Sequence, residues 1–229
     1  MIAGLYIAVL AIGYVIGSIP CGVMLGKIFA KTDITEVGSG KTGATNVLRA
    51  AGKKAAGLSL ILDLAKGAGS VLLAGVIFNS DAAAGAGATP LMTASAQVLA
   101  AMAAVSGHSW SVFLKFKGGR GVATFIGSML ALYWPAGVVG GAIVVGVGLI
   151  SRYMSLGSIT GAVAAYITLI GMYIAKSYPA EYLIYTIYAM IGAIFIFFKH
   201  RDNITRLVSG KERRVGEKAG ADKNPARLR

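Results

Sequence analysis

Five apolar stretches, near residues 4–26, 56–78, 90–107, 155–175 and 182–199, each approach the roughly 20 residues an α-helix needs to cross a hydrocarbon core. Lipid offers no water to bond backbone N–H and C=O groups, so such stretches fold as helices that satisfy those groups internally. A sixth apolar region, 121–150, carries Trp134-Pro135 near its middle. As one straight helix it would run about 45 Å, far beyond a core of about 30 Å. Proline at that point implies two short helices instead, near 121–134 and 136–150. The expected fold is all-α, a polytopic integral membrane helical bundle with about seven transmembrane helices. Residues 1–216 would form the membrane domain and 217–229 a basic tail. A re-entrant 121–150 would leave the sidedness of every other segment unchanged. With 56% hydrophobic and 14% charged residues, the chain is too apolar for an ordinary soluble domain. Met1 to Leu25 has neither a basic leader nor a small-residue cleavage site, so the first segment is expected to remain a membrane helix.

A net charge of +13 would ordinarily suggest nucleic acid, but its placement argues otherwise. Lys27, Lys31, Lys41, Arg49, Lys53 and Lys54 fall in one connection, Lys115, Lys117 and Arg120 in another, and many of the rest follow Lys199. The alternate connections hold only Asp81, the turn near Pro135, and Lys176 with Glu181. The positive-inside rule then puts the amino terminus outside, the carboxyl terminus inside, and every basic connection on the cytoplasmic face. Such a face attracts anionic metabolites or lipid head groups. No basic helix with interleaved aromatic residues supports nucleic-acid binding. Cys21 is the single cysteine, which excludes an intrachain disulfide, and His108 and His200 are too few for a histidine metal cluster. No metal or organic cofactor is expected. The 32 glycines suit close packing between membrane helices.

Three polar, glycine-rich segments interrupt the apolar pattern. The first is Gly38-Ser39-Gly40-Lys41-Thr42-Gly43-Ala44-Thr45-Asn46, continuing to Arg49. A nucleotide P-loop needs glycine where Thr35 stands, and a strand where a membrane helix is expected. Exposed backbone N–H groups, Ser39, and the donors Thr45, Asn46 and Arg49 still suit some other phosphate, unless the segment is only a capped turn. The second, Lys117-Gly118-Gly119-Arg120-Gly121, precedes an apolar helix, whose free N–H groups and dipole can hold an anion, or it is a positive-inside loop. His108, just before it, is either a donor to substrate or a structural interfacial histidine. In the third, His200, Asn203 and Arg206 recur every three residues and share a helical face. Histidine can exchange a proton or hold a hydroxyl, asparagine can orient it, and arginine can bind phosphate; capping and head-group contacts are the alternative. Asp63 and Lys66 lie three apart inside an apolar span, as a helix-locking ion pair or as part of a polar cavity. Ser155 and Ser158 sit about one turn apart near a span end, where capping is the plainer role.

Taken together these stretches resemble the bacterial acyl-phosphate:glycerol-3-phosphate acyltransferase family over residues 4–212. The resemblance rests on Gly38-Ser39-Gly40 with Gly43-Ala44-Thr45-Asn46 and Arg49, on Asp63 to Gly67, on Gly107-His108 with Phe116 to Thr124, and on His200 to Glu212. Lys41-Thr42 replaces an expected asparagine-centred pair, and Arg120 stands where lysine is usual. The family implies transfer of a fatty acyl group from acyl phosphate to the 1-hydroxyl of glycerol 3-phosphate, giving lysophosphatidic acid and phosphate in phospholipid biosynthesis. It implies a multi-pass protein of the bacterial inner membrane, with its active site facing the cytoplasm. The expected partners are the two substrates and membrane lipids, with no nucleic acid.

In that mechanism Ser39, Arg49, Lys117 and Arg120 hold phosphate groups with help from Lys66, while His200 and Asn203 orient the hydroxyl. Thr45, Asn46, His108, Gly118, Gly119, Ser155, Ser158 and Arg206 complete the expected substrate contacts. A covalent serine route is unattractive, because Ser39 lies in no Gly-x-Ser-x-Gly elbow. Neither histidine has an aspartate five positions on, since Phe113 and Thr205 stand there. A transporter of organic phosphate or another anion would use the same cations but needs access from both faces, and no internal repeat suggests two halves. A lipid-binding protein without catalysis is a third possibility.

Overall fold

The computed structural model describes residues 1–176 and 179–217. Apart from a lone Ser111–Lys117 bridge, the regular structure among the described residues is helical. The expected tail at 217–229 lies outside them beyond Glu217, as does part of the connection 176–181.

The first apolar stretch is divided, not continuous over 4–26. Helix α1 (Ile2–Ser18) stops before Pro20 and α2 (Cys21–Ala30) starts after it. Pro20 has no N–H and disfavours a helical Ile19, which takes φ −54° and ψ 121°. Helix α3 (Ala44–Phe78) begins well before the expected residue 56 and bends at Gly52, whose φ of 81° favours a residue without Cβ. After the short α4 (Asp81–Gly85), α5 (Pro90–Ser109) opens with Thr89 accepting from Met92 N and Pro90 in its first turn.

The 121–150 region forms α6 (Val122–Leu132) and α7 (Trp134–Ile150). The break falls at Tyr133, in extended conformation, two residues ahead of the expected Pro135. Proline is tolerated in a helix's first turn, where N–H groups lack partners anyway, so Pro135 sits in the first turn of α7 and does not itself form the hinge. With 11 and 17 residues these helices reach only about 17 and 26 Å. Helices α8 (Met154–Lys176), α9 (Ala180–Lys199) and the polar α10 (Arg201–Val208) follow. Five segments are long and apolar enough to cross a membrane, counting Ile2–Ala30 as one, and α6 and α7 are shorter apolar helices. The chain is an integral, multi-pass membrane protein.

Helices in lipid gain little from the hydrophobic effect and associate through close packing at small residues. A Cβ on Gly17 of α1 would lie 2.1 Å from Ala104 O of α5, and one on Gly127 of α6 would lie 2.0 Å from Leu64 O of α3. Phe125, Met129, Leu169, Tyr188 and Ile196 fill the core between α6, α8 and α9. Ser128 Oγ and Tyr188 OH hydrogen-bond to each other inside it, which satisfies two buried hydroxyls. Helix α6 is thereby fixed in depth, and with it the connection that carries Arg120.

Candidate active site

All three polar interruptions meet at one end of the bundle. The 31–43 connection turns through left-handed Gly38 and Gly40, and Asn46 holds its shape. Asn46 Nδ2 donates to Ile34 O, Val37 O and Lys41 O at 2.7, 3.1 and 3.0 Å, while Oδ1 accepts from Ser39 N at 3.0 Å. Its amide is spent on backbone, so it shapes the loop that presents Ser39 and Lys41 and offers no spare donor. The 110–121 connection folds back on α5, with Ser111 Oγ donating to Ser18 O at 2.6 Å and Gly119 N to His108 O at 3.0 Å.

A cavity of about 490 Å³ opens among these segments. Ser39, Lys41, Thr45, Asn46, Arg49, His108, Arg120, Ser155, Ser158, His200 and Asn203 line its polar part. Leu60 and Leu64 of α3, Ile126 and Leu130 of α6, and Val138 and Val145 of α7 line an apolar extension. The first residues of α3, α6 and α8 all contribute, so three helix N-termini bring partial positive charge to one place. Neither Gly43 nor Gly121 caps its helix with a side chain.

Arg49 Nε and Arg120 Nε are buried at this cavity without a protein hydrogen-bond partner. Burial, reinforced by nearby Arg206, pushes the Arg120 guanidinium down to about 10, which still leaves it cationic at neutral pH. His200 Nδ1 faces Ile196 O at 2.8 Å, so the ring proton sits there and Nε2 is an acceptor in the neutral ring. Burial first, and then Arg120, push His200 down to about 4, so it is neutral at physiological pH. Asn203 Nδ2 donates to Glu212 Oε1 at 2.6 Å, while its Oδ1 is buried without a protein partner.

Other expected residues stand apart from the cavity. Lys117 is exposed, and Gly118 and Gly119 pack against His108 instead of lining the cavity. Lys66 pairs with Asp63 at 2.7 Å and lines a separate cavity of about 10 Å³ at the α1–α2 break, near the size of one water. Arg206 Nε donates to Glu212 Oε2 at 2.8 Å. Ser158 does line the cavity, but its Oγ donates to Met154 O within α8.

Sequence reasoning missed Glu212 as a site residue. Its Oε1 also accepts from Ser155 Oγ at 3.1 Å, so one carboxylate ties α8, α10 and the 211–217 segment together. An acid isolated among Lys211, Arg213 and Arg214 was the available signal. The start of α3 at Ala44 was also missed, because Gly43 before it offers no capping side chain to mark the boundary.

Fold and site together define a class: a membrane-embedded protein whose cavity joins a cationic floor to an apolar groove, suited to an amphipathic anion. The glycerol-3-phosphate acyltransferase family model matches residues 7–210, and the chain belongs to that family. It is 49% identical over 220 residues to glycerol-3-phosphate acyltransferase 3 of Dehalococcoides mccartyi strain CBDB1, covering 96% of this chain and 100% of that one. A glycerol-3-phosphate acyltransferase of Rhodopseudomonas palustris strain BisB5 is 42% identical, covering 94% and 98%. Two crystal structures of PlsY (YgiH), an integral membrane glycerol 3-phosphate acyltransferase, are similar in fold. Its glycerol 3-phosphate form has a TM-score of 0.73 at 34% identity, covering 92% of this chain and 96% of that chain. Its lysophosphatidic acid form has a TM-score of 0.75 at 33% identity, covering 91% and 94%.

Proposed function

We propose that this protein transfers a fatty acyl group from acyl phosphate to the 1-hydroxyl of glycerol 3-phosphate, forming lysophosphatidic acid and phosphate. The observation that carries this reading is the single cavity in which Arg49, Arg120 and three helix N-termini adjoin an apolar groove between α3, α6 and α7. One region suits phosphate and the other suits a hydrocarbon chain.

Arg49 and Arg120, with Ser39 and Thr45, hold the phosphate groups, and the groove takes the acyl chain. His200 Nε2 accepts from the glycerol hydroxyl, and Asn203 orients it. The hydroxyl oxygen attacks the acyl carbonyl, the new C–O ester bond forms, and the bond from that carbon to the phosphate oxygen breaks. The hydroxyl proton leaves with the phosphate. Free N–H groups at the start of α6 stabilise the developing oxygen charge. Because acyl phosphate is already activated, no acyl-enzyme is required.

The site faces the cytoplasm of a bacterial inner membrane, with the amino terminus outside and the carboxyl terminus inside. The uneven loop charges support that orientation. Residues 1–216 act as the working unit, and 217–229 as a basic cytoplasmic tail. Among the described residues, none from the connections 79–89 or 176–181 lines the cavity, which favours one-sided chemistry over transport.

Sealed vesicles containing the purified protein, given acyl phosphate and labelled glycerol 3-phosphate outside, separate the two readings. Labelled lysophosphatidic acid is expected. Unmodified label accumulating inside, with no lipid product, would establish a transporter instead.

A further inference from the structure

His108 stands in the last turn of α5, with Asp63 on one side of its ring and the 117–121 connection on the other. Nδ1 lies 3.4 Å from Asp63 Oδ1, and that same oxygen accepts from Lys66 Nζ at 2.7 Å. All three side chains are more than nine-tenths buried. An ionised carboxylate only accepts, so the ring carries its proton on Nδ1 and turns Nε2 the other way. There it meets the 117–121 connection: a Cβ on Gly119 would stand 2.1 Å from His108 Nε2, and one on Gly118 would stand 2.3 Å from His108 O. The residue after this glycine pair is Arg120, which lines the main cavity. Asp63 and His108 line both cavities.

We infer that Asp63 and His108 are a positioning pair for Arg120. Asp63, anchored by Lys66, sets the His108 ring, and the ring holds the Gly118–Gly119 turn in the place that delivers Arg120 to a substrate phosphate. The inference rests on the acyl-transfer reading and assigns to a named task the ionisable residues buried in an apolar helix, where such groups usually mark function. It also gives the glycine pair a steric reason: a side chain at either position would push the ring or its carbonyl away. His108 then acts through Arg120, without itself donating to substrate.

The test compares wild type with His108→Asn and with Asp63→Asn combined with Lys66→Met. The second variant frees the ring without leaving Lys66 charged and unpaired. Gly119→Ala, which displaces the ring from the opposite side and keeps Asp63 and Lys66 paired, provides a third. Each is titrated with glycerol 3-phosphate at saturating acyl phosphate, and its thermal midpoint is measured. Positioning predicts a KM for glycerol 3-phosphate raised roughly 10- to 100-fold with kcat changed less, the scale expected when a binding group moves by about 1 Å. Combining His108→Asn with the neutral pair should cost no more than the worse parent, because both act along one path. A lower thermal midpoint with wild-type KM in the variants that fold would overturn the pairing, and so would multiplicative losses on combination. If wild type itself makes no lysophosphatidic acid, the acyl-transfer reading fails, and equilibrium binding of labelled glycerol 3-phosphate tests the pair alone: wild-type Kd in the variants overturns it.

Discussion

Glu212 Oε1 accepts from Asn203 Nδ2 at 2.6 Å while its other oxygen accepts from Arg206 Nε at 2.8 Å. The carboxylate uses both oxygens to fix the helix that presents His200 and Asn203, and Ser155 adds a third donor from α8. Glu212→Ala leaves Asn203 and Arg206 without that acceptor and should lower stability by about 1–3 kcal/mol. Acyl transfer should fall at least tenfold, on the order expected when an orienting partner is removed. Glu212→Gln keeps one acceptor and should fall between the two. Thermal midpoints and kcat/KM on the same preparations check the ordering.

His200 makes stability depend on pH with a definite sign. Its folded-state value lies near 4 against an ordinary 6.5, so between those values the unfolded chain binds the proton more readily. The stability tied to a neutral His200 is complete above about pH 6.5 and is lost as pH falls toward about 4. The loss is on the order of 3 kcal/mol, since one pKa unit is about 1.4 kcal/mol. Thermal midpoints measured from neutral to acidic pH should fall more steeply for wild type than for His200→Gln.

Arg120 can be distinguished from lysine by an alkaline titration. Burial lowers the guanidinium to about 10, and a lysine in the same place starts from a lower intrinsic value. Arg120→Lys should retain transfer at neutral pH but lose it as pH rises, ahead of wild type. Arg120→Met should lose at least about 100-fold at every pH, the size of a deleted transition-state charge contact. Activity against pH for the three proteins checks this.

Gly127 and Gly57 separate packing from propensity. A Cβ on Gly127 would sit 2.0 Å from Leu64 O, whereas one on Gly57 has nothing within 4 Å. Gly127→Ala should destabilise by about 1–3 kcal/mol by forcing α3 and α6 apart. Gly57→Ala should be neutral or stabilising by up to about 1 kcal/mol. Thermal midpoints decide.

The groove should set acyl-chain length. Gly141 of α7 lines it, and a Cβ there meets Ile126 Cγ2 at an ordinary 3.4 Å, so a larger side chain can enter the groove. Gly141→Leu should lower kcat/KM for long-chain acyl phosphate more than for short-chain acyl phosphate.

The membrane helices were legible because apolar length and loop charge are properties of the sequence itself. The break between α1 and α2 was not, although Pro20 announced it, because 4–26 reads as one apolar run. The convergence of Ser39, Arg49, Arg120, His200 and Asn203 followed from their joint pattern. What the pattern does not carry is direction. Asn46 reads as a donor but spends its amide on Ile34, Val37 and Lys41. Lys117 reads as the equal of Arg120, yet the 110–121 fold leaves one exposed and brings the other to the cavity. Glu212 was hidden for a similar reason, since its partners lie on α8 and α10 and only the tertiary fold brings them together.

Coupled transfer requires one cavity to bring acyl phosphate and glycerol 3-phosphate together. Its most direct measurement is the stoichiometry of phosphate release and labelled lysophosphatidic acid formation by purified wild-type protein, beside Arg49→Met, His200→Gln and Asn203→Ala. Equal amounts of both products are expected from wild type, and a severe loss of both in each variant. Phosphate released without lipid product, or full transfer surviving all three substitutions, would contradict it.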